Sequence, residues 1–193
     1  MILSPEISPE RDAALLAMLP LVEESGWNVG TLRRALILIG VPPDDAEFLF
    51  PGGAIAMVDA YFDLADRQMI AAADPDLLTK RLSERVRALI ALRLAQARAH
   101  RGAVRRALAL LALPRNARIG ARCLARTVDS IWHTAGDTSS DFSWYTKRAI
   151  LAGVYGASLL FWLRDYSDDA EATMKFVDRR LGDVARLGKL VPR

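Results

Sequence analysis

The sequence predicts an all-α fold, on three observations. Apolar residues recur at the helical period of about 3.6 along most of the chain, no segment alternates as a strand does, and glycines and prolines fall mainly between the periodic stretches. The chain has 193 residues, of which 52% are apolar and 25% charged, which is enough to bury a core. No repeat and no flexible linker divides it, so a single domain over residues 1–193 with about nine helices is expected.

The elements follow in order. Ser8 caps a first helix with Pro9 at its first position and Glu10 in its first turn. Ala14, Leu15, Met18 and Leu19 form its apolar stripe, and Pro20 is expected to kink or break it. Gly26 and Trp27 make a turn into a second helix over about 29–39, which buries Leu32, Leu36 and Ile39 and turns Arg33 and Arg34 outward. Gly40, Val41 and Pro42 stop it. A short acidic turn or helix runs from Pro43 to Leu49, followed by Phe50, Pro51, Gly52 and Gly53. A fourth helix covers about 54–73, and a long basic fifth about 76–100, with Leu78, Leu82, Val86 and Leu89 on one face. The sixth ends at Pro114, Asn116 caps a seventh that reaches about Thr134, and Asp141 caps an eighth that reaches about Arg164. A last amphipathic helix spans about 168–187, with Met174, Val177, Leu181 and Val184 on its apolar side.

Net charge is only +3, but it is unevenly laid out. Residues 1–79 carry a net −9, residues 80–128 a net +12, and residues 129–193 balance. The basic block reads either as a solvated helix face or as a face turned to anionic lipid head groups or an acidic partner. Cys123 is the sole cysteine, so no internal disulfide forms and a reducing compartment is expected. The N-terminus lacks the basic-then-apolar layout of a signal peptide. The longest apolar stretch, Ala149 to Leu163, is interrupted by Ser158 and falls short of the roughly 20 residues that span a bilayer.

Catalytic chemistry finds no foothold. His100 and His133 have no carboxylate or cysteine at metal spacing, and no Glu-x-x-His pair exists for a di-iron bundle. Gly52 and Gly53 lack the lysine of a phosphate loop, and Asp137 to Asp141 read as capping chemistry. The expectation is a binding protein, with neither enzyme activity, metal nor catalytic cofactor.

The first three helices, with Gly26 and Trp27 in one turn and Gly40 in the next, resemble the helix-turn-helix end of the TetR repressors. Such a protein holds phosphates with basic groups near its third helix. Here that segment reads Pro42, Pro43, Asp44, Asp45, Ala46, Glu47, which repels a polyanion. Binding to nucleic acid is therefore not expected, and a TetR-type DNA-binding regulator with a small apolar ligand is the alternative reading.

The most distinctive stretch runs from Arg126 to Tyr155 and includes Arg126-Thr127-Val128-Asp129-Ser130-Ile131-Trp132-His133 and Asp141-Phe142-Ser143-Trp144-Tyr145-Thr146-Lys147-Arg148. With Arg105 to Leu108, the Phe50-Pro51-Gly52 turn, Asp165-Tyr166-Ser167 and Phe176 to Arg180, it closely resembles the Coq-nine family, accessory proteins of ubiquinone (coenzyme Q) biosynthesis. Ser143 stands where asparagine is more usual, and Ser140 where threonine is. The resemblance implies a TetR-like helical bundle, with a degenerate helix-turn-helix part over 1–53 and a lipid-binding part over 54–193. It further implies a homodimer that binds an isoprenoid lipid or quinone intermediate and assists the di-iron demethoxyubiquinone hydroxylase. It places the chain in the cytoplasm, peripherally on the inner membrane (the matrix side in mitochondrial relatives), through the C-terminal amphipathic helix.

Helix eight suits a pocket wall, because Ala149, Gly153 and Ala157 recur every four residues while Leu151, Tyr155 and Trp162 lie opposite. The small side either packs closely on another helix or leaves room for a slender polyprenyl tail. Ile131, Trp132, Leu151, Gly153, Tyr155 and Ala157 are the expected lipid contacts. By the resemblance, the hydroxylase docks at Trp144 and Tyr145, with Asp141 and Arg148 beside them. Trp144 and Tyr145 are about 100° apart around the helix, so at least one is expected to be exposed.

Overall fold

The computed structural model describes residues 5–137 and 143–190, without the side chains of residues 143, 144, 185 and 187–190. Among the described residues there are nine α-helices, several short 3-10 turns and no strand. Cα packing gathers them into two compact units, each built from two stretches of chain.

The first unit joins the residues up to Arg67 with Ala97–Cys123. Helix α1, Pro9–Ser25, starts as its sequence dictates: the Ser8 hydroxyl accepts from the Arg11 N–H at 3.2 Å, and Pro9 fills the first position. Ala14, Leu15, Met18, Leu19 and Val22 are buried. Of the two outcomes expected at Pro20, the break does not occur: α1 runs on through it. Pro20 and Leu16 are both exposed, so the Leu16 carbonyl that loses its usual N–H partner lies on the watered side.

Gly26 closes α1 at φ 76, and Asn28 caps α2, Val29–Leu38, by accepting from the Thr31 N–H at 2.9 Å. Trp27 between them is buried; its indole N–H donates to the Ala103 carbonyl at 3.0 Å, and its ring lies 5.4 Å from that of Tyr61. Leu32 and Leu36 are buried as expected, but Ile39 is not. It caps the helix end rather than continuing the buried stripe. A 3-10 turn, Pro43–Asp45, leads into the single-turn α3, Ala46–Leu49, and then α4, Gly53–Ala71. Arg67 ties α4 to α1 through two hydrogen bonds to Asp12, at 2.7 and 2.8 Å, and one to Asp63 at 3.0 Å. These carboxylates raise the Arg67 pKa and keep its guanidinium charged. The unit is completed by α6, Arg101–Leu111, and the start of α7, Ala117–Thr134. Here Arg122 pairs with Asp59, which also accepts from the buried Cys123 thiol at 3.3 Å.

The second unit joins Gln68–Gln96 with the described residues from Leu124 onward. The single long helix expected over 76–100 is broken into a 3-10 turn at Pro75–Thr79, α5 at Leu82–Gln96 and a second 3-10 turn at Arg98–His100. Pro75 starts the first turn and Lys80 is extended at ψ 164, so Leu78 and Leu82 leave the apolar face and are exposed, while Val86 and Leu89 are buried. The expected cap of α7 also differs. Asn116 donates backward to the Leu110 carbonyl at 2.8 Å and closes α6.

Helix α8 is Ser143–Trp162; its expected cap, Asp141, lies outside the described residues. Helix α9, Glu171–Leu190, packs on α8 and α5. Its entry is organised by Asp165, only 6% exposed, which accepts from the Ser167 N–H and hydroxyl with one oxygen, at 2.9 and 2.6 Å. The other oxygen accepts from the Thr173 N–H and hydroxyl at 2.7 and 2.5 Å. Those bonds hold a turn in which Asp169 and Ala170 take φ of 48 and 57, the left-handed region that non-glycine residues adopt only under constraint.

Candidate lipid and partner surface on helix eight

From Ala149 onward helix α8 is apolar on every side except at Ser158, and the structure sorts its two sides. Leu151, Val154, Tyr155, Ser158, Leu159, Trp162 and Leu163 face inward and are buried, with the Ser158 hydroxyl donating to the Val154 carbonyl at 2.7 Å. On the far side Ala149, Gly153 and Ala157 are exposed. So are Tyr145 (70%), Leu160 (62%), Ile150 and Phe161. No Cβ built on Gly153 or Gly156 meets another atom within 4 Å, so this side has open space in front of it.

The expected lipid contacts therefore divide. Ile131, Leu151 and Tyr155 are buried and Trp132 is half-buried, whereas Gly153 and Ala157 lie on the opposite, exposed side of α8. The six residues do not share one surface. An exposed apolar face this continuous on a chain of this size marks an interaction site more often than idle surface.

Of the expected docking residues, Asp141 and the side chain of Trp144 lie outside what is described. Tyr145 is exposed, as expected of at least one of the aromatic pair. Arg148 is engaged inward: its guanidinium is paired with Asp129 at 2.7 Å, and its side chain is only 15% exposed. Lys147 pairs with Asp137 at 3.0 Å, and the Trp132 indole N–H donates to the Lys147 carbonyl at 3.3 Å. These bonds fix the first turns of α8 against α7, next to the exposed Tyr145.

Sequence reasoning missed three contributors. Phe161 of α8 stacks on Phe176 of α9 with ring centroids 4.9 Å apart, and Arg180 lies 5.1 Å above the Phe176 ring. The signal was present in the matched apolar character of both sides of α8. A helix needs only one apolar side to pack on a single neighbour, and α9 takes part of the second through Phe176. A groove of about 220 Å³ also lies between α5 and α9, lined by Ser83, Glu84, Arg87, Asp178, Leu181 and Gly182. Its rim is the Arg87–Asp178 ion pair, and hydrogen bonding to Asp178 raises the Arg87 pKa.

Among the described residues no three side chains of His, Cys, Asp or Glu converge as a metal site, and no single helix is long and apolar enough to cross a membrane.

Comparison with known proteins places these helices. The COQ9 family profile matches residues 117–188, which covers α7, α8 and most of α9. A Dictyostelium discoideum protein named "Probable ubiquinone biosynthesis protein coq9, mitochondrial" is 34% identical over 173 residues, 86% of this chain and 56% of its own. The Schizosaccharomyces pombe "Ubiquinone biosynthesis protein coq9, mitochondrial" is 38% identical over 146 residues, 75% of this chain and 58% of its own. The rat protein of that name is 46% identical over 83 residues, 43% of this chain and 27% of its own. The chain thus spans less than two thirds of each of these relatives. In fold it is similar to a TetR transcriptional regulator from Nitrosomonas europaea, with a TM-score of 0.75 at 23% identity over 93% of this chain and 99% of the other. The 34% identity across 86% of this chain and the 38% across 75% of it, with the family profile matched over α7 to α9, make this chain a member of the COQ9 family.

Proposed function

We propose that the chain is a non-catalytic lipid-binding accessory protein of ubiquinone biosynthesis, which holds isoprenoid quinone intermediates and presents them to the di-iron demethoxyubiquinone hydroxylase. The observation that carries this reading is the outward apolar face of α8, in the segment matched to the family. Ala149, Gly153 and Ala157 form a strip about 12 Å long, at 1.5 Å per residue, with no side chain larger than a methyl group. Ile150, Leu160 and Phe161 stand along it, exposed. A strip of that kind matches a slender polyprenyl tail. A second copy of the chain meeting the first over this face would cover the tail and form the homodimer.

Tyr145, at the start of the same helix, is the contact offered to the hydroxylase. An exposed tyrosine on a rigid turn gives large contact area at low entropic cost. Helix α9 supplies the membrane contact: Arg179, Arg180 and Arg186 are exposed, and Met174, Leu181 and Val184 are only partly buried. The site of action is then the surface of the inner membrane, on the matrix side where the chain is mitochondrial. The DNA-binding alternative is disfavoured because Arg33 is paired with Glu47 at 2.7 Å, and α3 is a single turn.

The test is a Tyr145→Lys variant mixed with purified hydroxylase, alongside mass spectrometry of organic extracts of the parent protein. The expected result is an unchanged thermal midpoint, loss of hydroxylase association and an isoprenoid lipid in the parent extract. Undiminished association, or extracts free of lipid, would overturn the reading.

A further inference from the structure

The first unit carries an apolar surface that the lipid reading does not use. At the end of α2 and on α3, Ile37 is 61% exposed, Leu38 69%, Ile39 41% and Phe48 86%. Four large apolar side chains in twelve residues, all open to water, exceed the scattered apolar exposure of an ordinary surface.

This tip is firmly held from beneath. Leu36, Ala46 and Phe50 are buried at 0%, 0% and 1% exposure. The Leu36 carbonyl accepts from the N–H groups of Ile39 and Val41 at 3.1 and 2.9 Å, and Gly40 turns the chain at φ 72. The Phe50 N–H donates to the Ala46 carbonyl at 3.0 Å. Arg33 and Glu47 join α2 to α3, and the apolar side chains flank that bridge: Ile37 is one turn beyond Arg33, and Phe48 adjoins Glu47. The two elements are therefore held together, with these side chains exposed at their junction.

Charge decides what suits it. Arg33 is neutralised by Glu47, whereas Arg34 donates to the Ser25 hydroxyl at 2.9 Å and keeps its charge there, at the end of α1. Asp44 is exposed and Asp45 half-exposed, and among the described residues neither makes an ion pair. An apolar centre with a carboxylate rim repels nucleic acid and anionic bilayers, and it attracts a surface of the complementary kind. We propose that the tip formed by the end of α2 and by α3 docks a protein partner through an apolar helix face rimmed by Lys and Arg. Leu38 and Phe48 are its anchors, Asp44 and Asp45 its electrostatic rim. This docking is independent of the lipid reading and stands or falls apart from it.

The probes are two fluorescein-labelled helical peptides of about fifteen residues with the same leucine stripe, one with lysine and one with glutamate at the flanking positions. Anisotropy titration against the full chain is expected to give binding at least about tenfold tighter for the lysine peptide, weakening as salt is raised. Leu38→Ser and Phe48→Ser should each weaken it about fivefold or more, Phe48→Leu should largely retain it, and the pair Asp44→Asn with Asp45→Asn should remove the preference for lysine. Ile70→Ser, which alters an exposed apolar residue in the other unit, should change nothing. Because the altered tip residues are exposed, circular dichroism should report folded variants throughout. Equal binding of the two peptides overturns the proposal, as does binding indifferent to Leu38 and Phe48. It is equally overturned if those two variants abolish binding to phosphatidylcholine–phosphatidylglycerol vesicles instead of to the peptide.

Discussion

Replacing Asp165 by asparagine tests how α9 is held on its unit. The Asp165 carboxylate accepts four hydrogen bonds, two on each oxygen. Asparagine keeps one carbonyl oxygen for Ser167 but sets an NH2 group against the Thr173 N–H, which is fully buried. The Thr173 hydroxyl can rotate to accept; the backbone N–H cannot. A buried donor left without an acceptor costs about 1–3 kcal/mol, and for a chain of this size each kcal/mol lowers the midpoint by about 2–4 °C. The loss depends on pH in a definite direction. Burial raises the Asp165 pKa, but the hydrogen bonds from Ser167 and Thr173 outweigh it and bring it down to about 2, from an ordinary 3.8. A carboxyl depressed on folding contributes its full stabilisation above about pH 4 and loses it as pH falls toward 2. Parent and Asp165→Asn should therefore differ most near neutrality and converge in acid. Thermal melts from pH 7 to pH 2.5, with hydrogen exchange read across α9, check this. A variant as stable as the parent at pH 7, or a difference that stays constant down to pH 2.5, refutes the reasoning.

Two further outcomes are expected. Trp27→Phe keeps the aromatic contact with Tyr61 but removes the donor to the Ala103 carbonyl, so urea denaturation should show a loss of about 1–2 kcal/mol; no measurable loss would mean that water replaces the indole N–H there. Ala157→Glu puts a charge into the small-residue strip of α8, where it is exposed in the single chain. Sedimentation should then show the monomer, with copurified lipid lost and the helical spectrum kept, whereas a variant that still dimerises and still carries lipid removes that face from the proposal.

The sequence exposed local rules well and long-range ones poorly. Ser8, Asn28 and Gly26 act within four residues of the bonds they make, so the limits of α1 and the start of α2 are set by neighbours in sequence. Pro20 misleads because its effect depends on which side of the helix it occupies, and that is a tertiary fact. Asn116 misleads for a similar reason: its amide serves a helix end on either side, and the donor half found Leu110 first. The Asp165–Thr173 contact spans eight residues and has no periodic signature. On α8 the spacing correctly set Ala149, Gly153 and Ala157 opposite Leu151 and Tyr155. Both sides are apolar, however, and periodicity alone does not say which one faces the domain.

The charge asymmetry along the chain has a structural explanation that bears on both proposed surfaces. Residues 1–79 are acidic and 80–128 basic, which invites a reading of the arginines as a face for anionic lipid. In the first unit, however, arginines of the basic block close onto the acidic stretch: Arg122 pairs with Asp59, and Arg106 donates to the Glu23 and Glu24 carbonyls at 2.9 and 3.3 Å. In the second unit Arg87 pairs with Asp178, and Arg85 donates to the carbonyls of Leu78, Lys80 and Ala135. Arg93 and Arg126 are buried. Arginine suits this work because its fork of donors satisfies several oxygens at once, which fits the predominance of arginine over lysine across 80–128. Arginines of the block thus join segments distant in sequence, while Arg81, Arg115 and Arg118 of the same block are exposed. The two proposed surfaces, on α8 and on the tip of α2 and α3, are apolar at their centres, and recognition there rests on shape and burial with charge at the rim.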